Sequence, residues 1–164
     1  MKKHLLYFAY GSNMTLDRMQ RTVPGAAFVA IGAIINYDFG FGDYISNNWN
    51  GAPATIYPRK GSMVWGAVWR IPVSGIAPLD GIEGVADGIY NRLYVPVMVG
   101  EEEVFCYTFM MVAPVSDSAL PSVTYLEEII NSAERIYLPI EYLTKLRKFT
   151  SNGKIARKKI LNVS

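Results

Sequence analysis

Two places in this 164-residue chain carry groups able to do chemistry. The first is the junction Tyr7-Phe8-Ala9-Tyr10-Gly11-Ser12-Asn13-Met14, where an apolar run gives way to a small polar loop. Side chains shrink at Gly11-Ser12-Asn13, so backbone N–H groups can come close to a ligand. Thr15 offers an N-cap for a short helix reaching about Arg21, which puts the loop at the positive end of a helix. Such a place suits an anion or a developing oxyanion; it is equally an ordinary turn between a strand and a helix. The second is Glu83. Ile76, Leu79, Ile82 and Glu83 recur at helical spacing between Ser74, a candidate N-cap, and Gly84, a stop. A carboxylate at a helix C-terminus faces the negative end of the dipole, which raises its pKa. The bland alternative is a surface glutamate at a turn. Asp80, three residues earlier on the same face, is an N–H acceptor, a partner for Arg92, or solvated. A lone carboxylate, a backbone-rich loop and several of the eleven tyrosines can combine proton transfer with oxyanion stabilisation, with no metal or cofactor.

Other chemistries find little support. With one histidine, His4, there is no histidine metal cluster of ordinary spacing, and a Ser-His-Asp set would have to draw on a residue next to the N-terminus. No Gly-Lys-Ser or Gly-Lys-Thr occurs, and the Gly40-x-Gly42 pair lacks a third glycine and a following helix. The single cysteine, Cys106, lies in the apolar run Val104 to Val112 and reads as a buried, inert thiol, which excludes an internal disulfide or a multi-cysteine zinc site. A formal net charge of +2 is too small to indicate nucleic acid, and the basic cluster Arg157-Lys158-Lys159 reads as a solvated tail. The apolar stretch behind Met1-Lys2-Lys3-His4 is soon interrupted by Gly11 to Asn13, unlike a signal peptide or a membrane span. A cytoplasmic protein is the expectation.

The elements that must position these groups follow from periodicity. A 51% apolar and 18% charged composition describes one folded domain over residues 1–164, with 151–164 as a tail docked on it. Leu5 to Ala9 reads as a strand buried on both faces. Ala26 to Ile35 continues into Tyr37, Phe39 and Phe41 at period two, a half-exposed strand. Asp43 to Ala52 reads as a loop over a pocket, anchored by Trp49. Ala54 to Tyr57 is a short strand ended by Pro58, and Met63 to Ile71 is a second, in which Gly66 marks a bend or a close backbone contact. Ile89 to Val99 and Val104 to Val112 form a hairpin around the solvated turn Gly100 to Glu103. Leu126, Ile129, Ile130, Ala133 and Tyr137 share one face of a helix from Thr124, with Thr124 and Glu127 as a capping box. Pro139 opens a further helical turn carrying Tyr142, Leu143, Leu146 and Phe149, and Ile155, Ile160, Leu161 and Val163 make the tail apolar enough to dock. The pattern is α+β: a small closed or half-closed barrel of five or six mostly antiparallel strands with flanking helices.

Four stretches carry a resemblance. Tyr7 to Met14, Ala54-Thr55-Ile56, Val64-Trp65-Gly66-Ala67-Val68-Trp69, and Leu79-Asp80-Gly81-Ile82-Glu83-Gly84-Val85 through Gly88-Ile89-Tyr90 resemble, in order and interval, the γ-glutamylcyclotransferase family with its AIG2-like fold. Pro121-Ser122 to Tyr125 and Leu138-Pro139-Ile140-Glu141-Tyr142 resemble its C-terminal helices. The resemblance implies a reaction that converts a γ-glutamyl amino acid or amide into 5-oxoproline and a free amine, without cofactor. By the family's motif Glu83 is the general base, accepting the proton of the substrate's α-amine and passing it to the departing amine. Tyr10, Gly11, Ser12, Asn13 and Met14 would hold the glutamyl carboxylate or the oxyanion, and Tyr125 the glutamyl head. The Gly81-Ile82 pair departs from the polar residues expected there.

Three readings are weighed against one another. The first takes free γ-glutamyl amino acids as substrate. The second keeps the reaction and changes the leaving group to a γ-glutamyl amine, an isopeptide or a γ-glutamyl-capped metabolite, with the Asp43 to Ala52 loop as the wall that discriminates. The third is a non-catalytic module that binds a small ligand. Apolar content is compatible with a homodimer.

Overall fold

A computed structural model of the chain describes residues 3–157. Five strands, β1 (His4–Ala9), β2 (Ala27–Phe41), β3 (Ala54–Pro72), β4 (Tyr90–Val99) and β5 (Glu102–Met111), close a barrel in the order β1-β3-β2-β4-β5. All neighbours are antiparallel except β1 and β5, which meet in parallel at Tyr7 and Tyr107 to complete the ring. Four helices flank it: α1 (Leu16–Thr22), α2 (Ile76–Glu83), α3 (Val123–Arg135) and α4 (Ile140–Leu146). None is long and apolar enough to cross a membrane.

The barrel closes where glycines remove side chains. Gly32 on β2 pairs with Gly66 on β3. A Cβ on Gly66 would sit 2.3 Å from the Ala9 carbonyl oxygen, and one on Gly32 would sit 2.7 Å from Val97. The two absent side chains therefore let β1 and β4 fold in from either side. Of the two alternatives left open for Gly66, the close backbone contact is the one observed.

β3 is one strand where the sequence suggests two. Register passes from Ile35 opposite Met63 to Tyr37 opposite Pro58, so Asn36 alone faces residues 59–62 as a wide bulge. Asn36 has a φ of 62°, and its Oδ1 accepts a 3.0 Å hydrogen bond from the Gly61 N–H. At a bulge the missing N–H of Pro58 costs no ladder bond. The strand expected to be half exposed at Tyr37, Phe39 and Phe41 is covered on both faces from residue 38 to 41: Phe39 and Phe41 are buried, packed edge-on to Phe149 with centroids 5.5 and 5.2 Å away. On the alternate face Asp38 is buried and accepts from Phe39 N–H at 2.8 Å, from Arg59 at 3.1 Å and from Lys145 of α4. Burial alone would raise its pKa, but the Lys145 ammonium and the Phe39 N–H hold it below the usual value.

Helix ends differ from expectation in detail. Thr15 caps α1 by position with no side-chain bond, Gly75 takes the N-cap place expected of Ser74, and Ser122, in place of Thr124, caps α3 through a 3.3 Å bond from the Tyr125 N–H. Thr124 instead accepts from the Ala156 N–H at 3.0 Å. That bond, with Asn152 Nδ2 donating to the Asn50 carbonyl, ties residues 151–157 to the body; Ile155 is exposed, and Lys158, Lys159, Ile160, Leu161 and Val163 lie outside the described residues. Tyr137, assigned to the buried face of α3, falls beyond the helix with a φ of 60° and is exposed. The exposed Gly100-Glu101 turn and the buried Cys106 match the reading from sequence, and burial pushes the Cys106 thiol up to about 12.

Gly66→Ala is expected to lose at least about 2 kcal/mol of unfolding free energy, because the added methyl meets backbone rather than a movable side chain. Urea denaturation measures it, and a loss below 0.5 kcal/mol, the usual scale of a neutral surface change, would contradict the closure argument.

Candidate active site

Glu83 ends α2, and the helix is fitted to present it. Gly84 adopts the left-handed conformation, φ 64°, and its N–H bonds back to the Asp80 and Gly81 carbonyls. A Cβ there would also lie 2.8 Å from Ile89, so the chain turns tightly enough for Glu83 to reach the barrel mouth. Asp80 is paired with Arg92 of β4 at 2.9 Å, which fastens α2 to the sheet. That is one of the three roles left open for it.

The Glu83 side chain lines a small inner cavity of about 40 Å³, together with Tyr7, Tyr10, Gly11, Ser12, Asn13, Ala54, Tyr90, Phe109 and Tyr125. Among the described residues none donates a hydrogen bond to its carboxylate. Burial pushes its pKa up to about 7, against the lowering pull of Arg18. The direction expected from the helix end is observed, and the larger cause is desolvation.

Four tyrosines surround that carboxylate, and their hydrogen bonds sort them into two pairs. Tyr10 donates to the Phe109 carbonyl and Tyr90 to the Ala54 carbonyl, both at 2.5 Å, so their protons are committed to the backbone. The hydroxyl oxygen of Tyr125 accepts from the Ala54 N–H at 3.1 Å, and that of Tyr7 accepts from Asn13 Nδ2 at 3.3 Å. A hydroxyl that already accepts keeps its proton to donate elsewhere. Tyr7 and Tyr125 thus supply two O–H donors around the cavity. Burial raises the pKa of both, and the negative charge of Glu83 raises each further, so they stay protonated.

The inner cavity opens into an outer cleft of about 630 Å³, and Ser12, Asn13, Glu83, Tyr90 and Tyr125 line both. Tyr44, Ser46, Asn47, Asn48 and Trp49 form one wall of the cleft, from the loop that sequence placed over a pocket. Trp49 is its anchor, stacked on Tyr125 with centroids 4.4 Å apart. Arg18 of α1 lies over the other part of this wall, its guanidinium 4.8 Å from the Trp49 ring centre.

The residues singled out from sequence therefore come together with one exception. Glu83, Tyr10, Gly11, Ser12, Asn13 and Tyr125 all line the inner cavity, whereas the Met14 side chain is fully buried in the core and lines neither space. Ser12–Met14 is a 3-10 turn placed between the loop and α1, so the loop does not sit directly on the helix N-terminus. Tyr7, Tyr90 and Arg18 were missed. Tyr7 and Tyr90 belong to the motifs quoted, and a polar tip inside an apolar run is the available signal; nothing in a one-turn spacing marks Arg18. Among the described residues no group of three His, Cys, Asp or Glu could hold a metal ion.

A model of the AIG2-like family matches residues 63–146. A mouse γ-glutamylcyclotransferase is 37% identical over 158 residues, covering 92% of this chain and 83% of the relative. A human γ-glutamylcyclotransferase is 35% identical over 162 residues, covering 94% and 85%. A solved γ-glutamyl cyclotransferase structure superposes with a TM-score of 0.88 at 34% identity over 95% of each chain.

A carboxyl whose pKa is raised by folding favours the fold when protonated. Its contribution is present below about 4.5 and is lost as pH rises through about 7. Glu83→Gln is therefore expected to be the more stable protein at pH 8, by about 1–3 kcal/mol, with the difference fading at pH 4. Urea denaturation at the two pH values measures it, and an equal difference at both would contradict the buried carboxyl.

Proposed function

We infer the reaction from one premise: the chain belongs to the γ-glutamylcyclotransferase family, within the AIG2-like group. Its activity is the intramolecular cyclisation of a γ-glutamyl compound to 5-oxoproline with release of the amine. What carries the mechanistic reading is that Glu83, held at a pKa of about 7, shares one cavity with the Gly11-Ser12-Asn13 loop and the donors Tyr7 and Tyr125.

The substrate's α-ammonium, held protonated by the carboxylate beside it, must lose a proton before its nitrogen can attack the γ-carbonyl. Glu83 takes that proton, and its raised pKa narrows the gap to the amine, which eases transfer in both directions. The N–C bond that forms closes a five-membered ring, and the carbonyl oxygen becomes an oxyanion. Backbone N–H groups of Tyr10 to Met14 and the Tyr7 or Tyr125 hydroxyl hold the oxyanion and the glutamyl carboxylate. Collapse breaks the bond to the departing nitrogen, which receives that proton from Glu83. The second proton, left on the ring nitrogen as an acidic ammonium after attack, passes through Glu83 to the released amine, leaving the neutral lactam N–H. Atoms and charge balance with no cofactor, and the cycle ends with Glu83 ionised as it began. Because the substrate must fold back on itself, a tight inner cavity lined with fixed rings supplies much of the catalysis by holding amine and carbonyl together. A cytoplasmic setting completes the reading, supported by a sole cysteine buried as a thiol.

The test is a panel of γ-glutamyl amino acids and γ-glutamyl amines, with 5-oxoproline followed by mass spectrometry. Glu83→Gln is expected to lower turnover at least about 100-fold, and kcat/KM of the native enzyme to fall below an apparent pKa near 7. Near-native turnover by Glu83→Gln would overturn the assigned base, and no 5-oxoproline from any member would overturn the reaction.

A further inference from the structure

The reaction leaves the amine that departs unassigned, and the outer cleft is where it must lie. The γ-carbonyl has to sit beside Glu83, and Glu83 is shared by the inner cavity and the cleft. A glutamyl head in the inner cavity therefore points its leaving group outward past Tyr125 and Trp49. Those two rings are stacked at 4.4 Å, and the Arg18 guanidinium follows 4.8 Å beyond the Trp49 centre, so an unbroken side wall runs from the reacting carbon to a cation.

Arg18 is in an unusual state for an arginine. It is half-buried, and among the described residues it makes no ion pair closer than 4 Å. Burial lowers its pKa, while the more distant Glu128 and Glu83 carboxylates raise it; a guanidinium remains charged throughout. A half-buried cation held over an indole with no carboxylate in ion-pair range is an incomplete site. Its planar fork suits a carboxylate better than any neutral group. Ile82 and Ile89 also line the cleft and present apolar surface, which suits an aliphatic side chain and offers nothing to a charge.

We propose that Arg18 binds the carboxylate of the departing amino acid and thereby makes the enzyme select γ-glutamyl amino acids over γ-glutamyl amines. This rests on the cyclisation assigned above and adds to it a specificity-determining residue. Ile82, of the pair that departs from the polar pattern of the family, then supplies apolar surface to the cleft that the arginine also lines.

The experiment compares two substrates that differ by one carboxylate, γ-glutamylalanine and γ-glutamylethylamide. The native enzyme is expected to prefer the former by at least about 30-fold in kcat/KM, the scale of a desolvated charge-assisted contact. Arg18→Gln is expected to reduce that ratio to about 3-fold or less, through a raised KM for γ-glutamylalanine with kcat changed little, and Arg18→Lys to keep an intermediate ratio. If Arg18→Gln slows both substrates alike, the guanidinium holds the glutamyl head or supports the fold, and the inference fails while the reaction stands. A native enzyme indifferent to the carboxylate overturns the inference without any variant. No 5-oxoproline from either substrate overturns the reaction itself, and the inference with it.

Discussion

A carboxylate taken out of water and, among the described residues, left without a close cation is the constraint around which this molecule is arranged. Glu83 is carried to the barrel mouth by α2, and its charge there is opposed by burial and relieved only by the more distant Arg18. Keeping such a group in place requires a helix that cannot swing away. The left-handed Gly84 cap and the Asp80–Arg92 pair provide that, one by turning the chain and the other by fastening the helix to β4. The exposed pair adds little free energy by itself; its consequence is positional.

The tyrosines answer the same constraint from the barrel side. Two spend their protons on backbone carbonyls, and two accept from N–H groups and keep their protons. Donor direction around the cavity is thus set for Tyr10, Tyr90 and Tyr125 by backbone groups of the sheet at Ala54 and Phe109, and for Tyr7 by the side-chain amide of Asn13. Behind Tyr10 and Tyr125 stand Phe39, Phe41 and Phe149 in edge-on contact, and this aromatic block links the β2 strand, the α3 cap and the segment after α4. Ser122 caps α3 through the N–H of Tyr125 itself, so the helix start and the tyrosine position are one interaction. Pre-arranged dipoles of this kind stabilise developing charge without reorganisation at the moment of reaction.

Much of this was legible in the sequence because it follows short-range rules. The β1-to-loop junction, the Gly84 stop and the β4–β5 hairpin are written in neighbouring residues, and the resemblance supplied the role of Glu83. What could not be read depends on partners far away in the chain. β3 runs through Pro58 because its residues 59–62 bulge opposite Asn36 of β2. Asp38 is buried because Lys145, more than a hundred residues later, reaches it. Arg18 acquires its place only when the Trp49 loop folds over α1. The cause of the Glu83 shift belongs with these: a helix end is visible in sequence, whereas the ring of tyrosines that desolvates the carboxylate is a property of the closed barrel.

The most direct test of this account is the titration of Glu83 itself. Carbon-13 NMR of protein labelled at the glutamate carboxyls, with the Glu83 signal identified by its absence from Glu83→Gln, reads the ionisation without reference to turnover. The account predicts an apparent pKa near 7, well above the ordinary carboxyl value of about 4.5. A Glu83 carboxyl that titrates near 4.5 would show a solvated side chain, and the cavity, the tyrosine donors and the shared proton would lose the group that unites them.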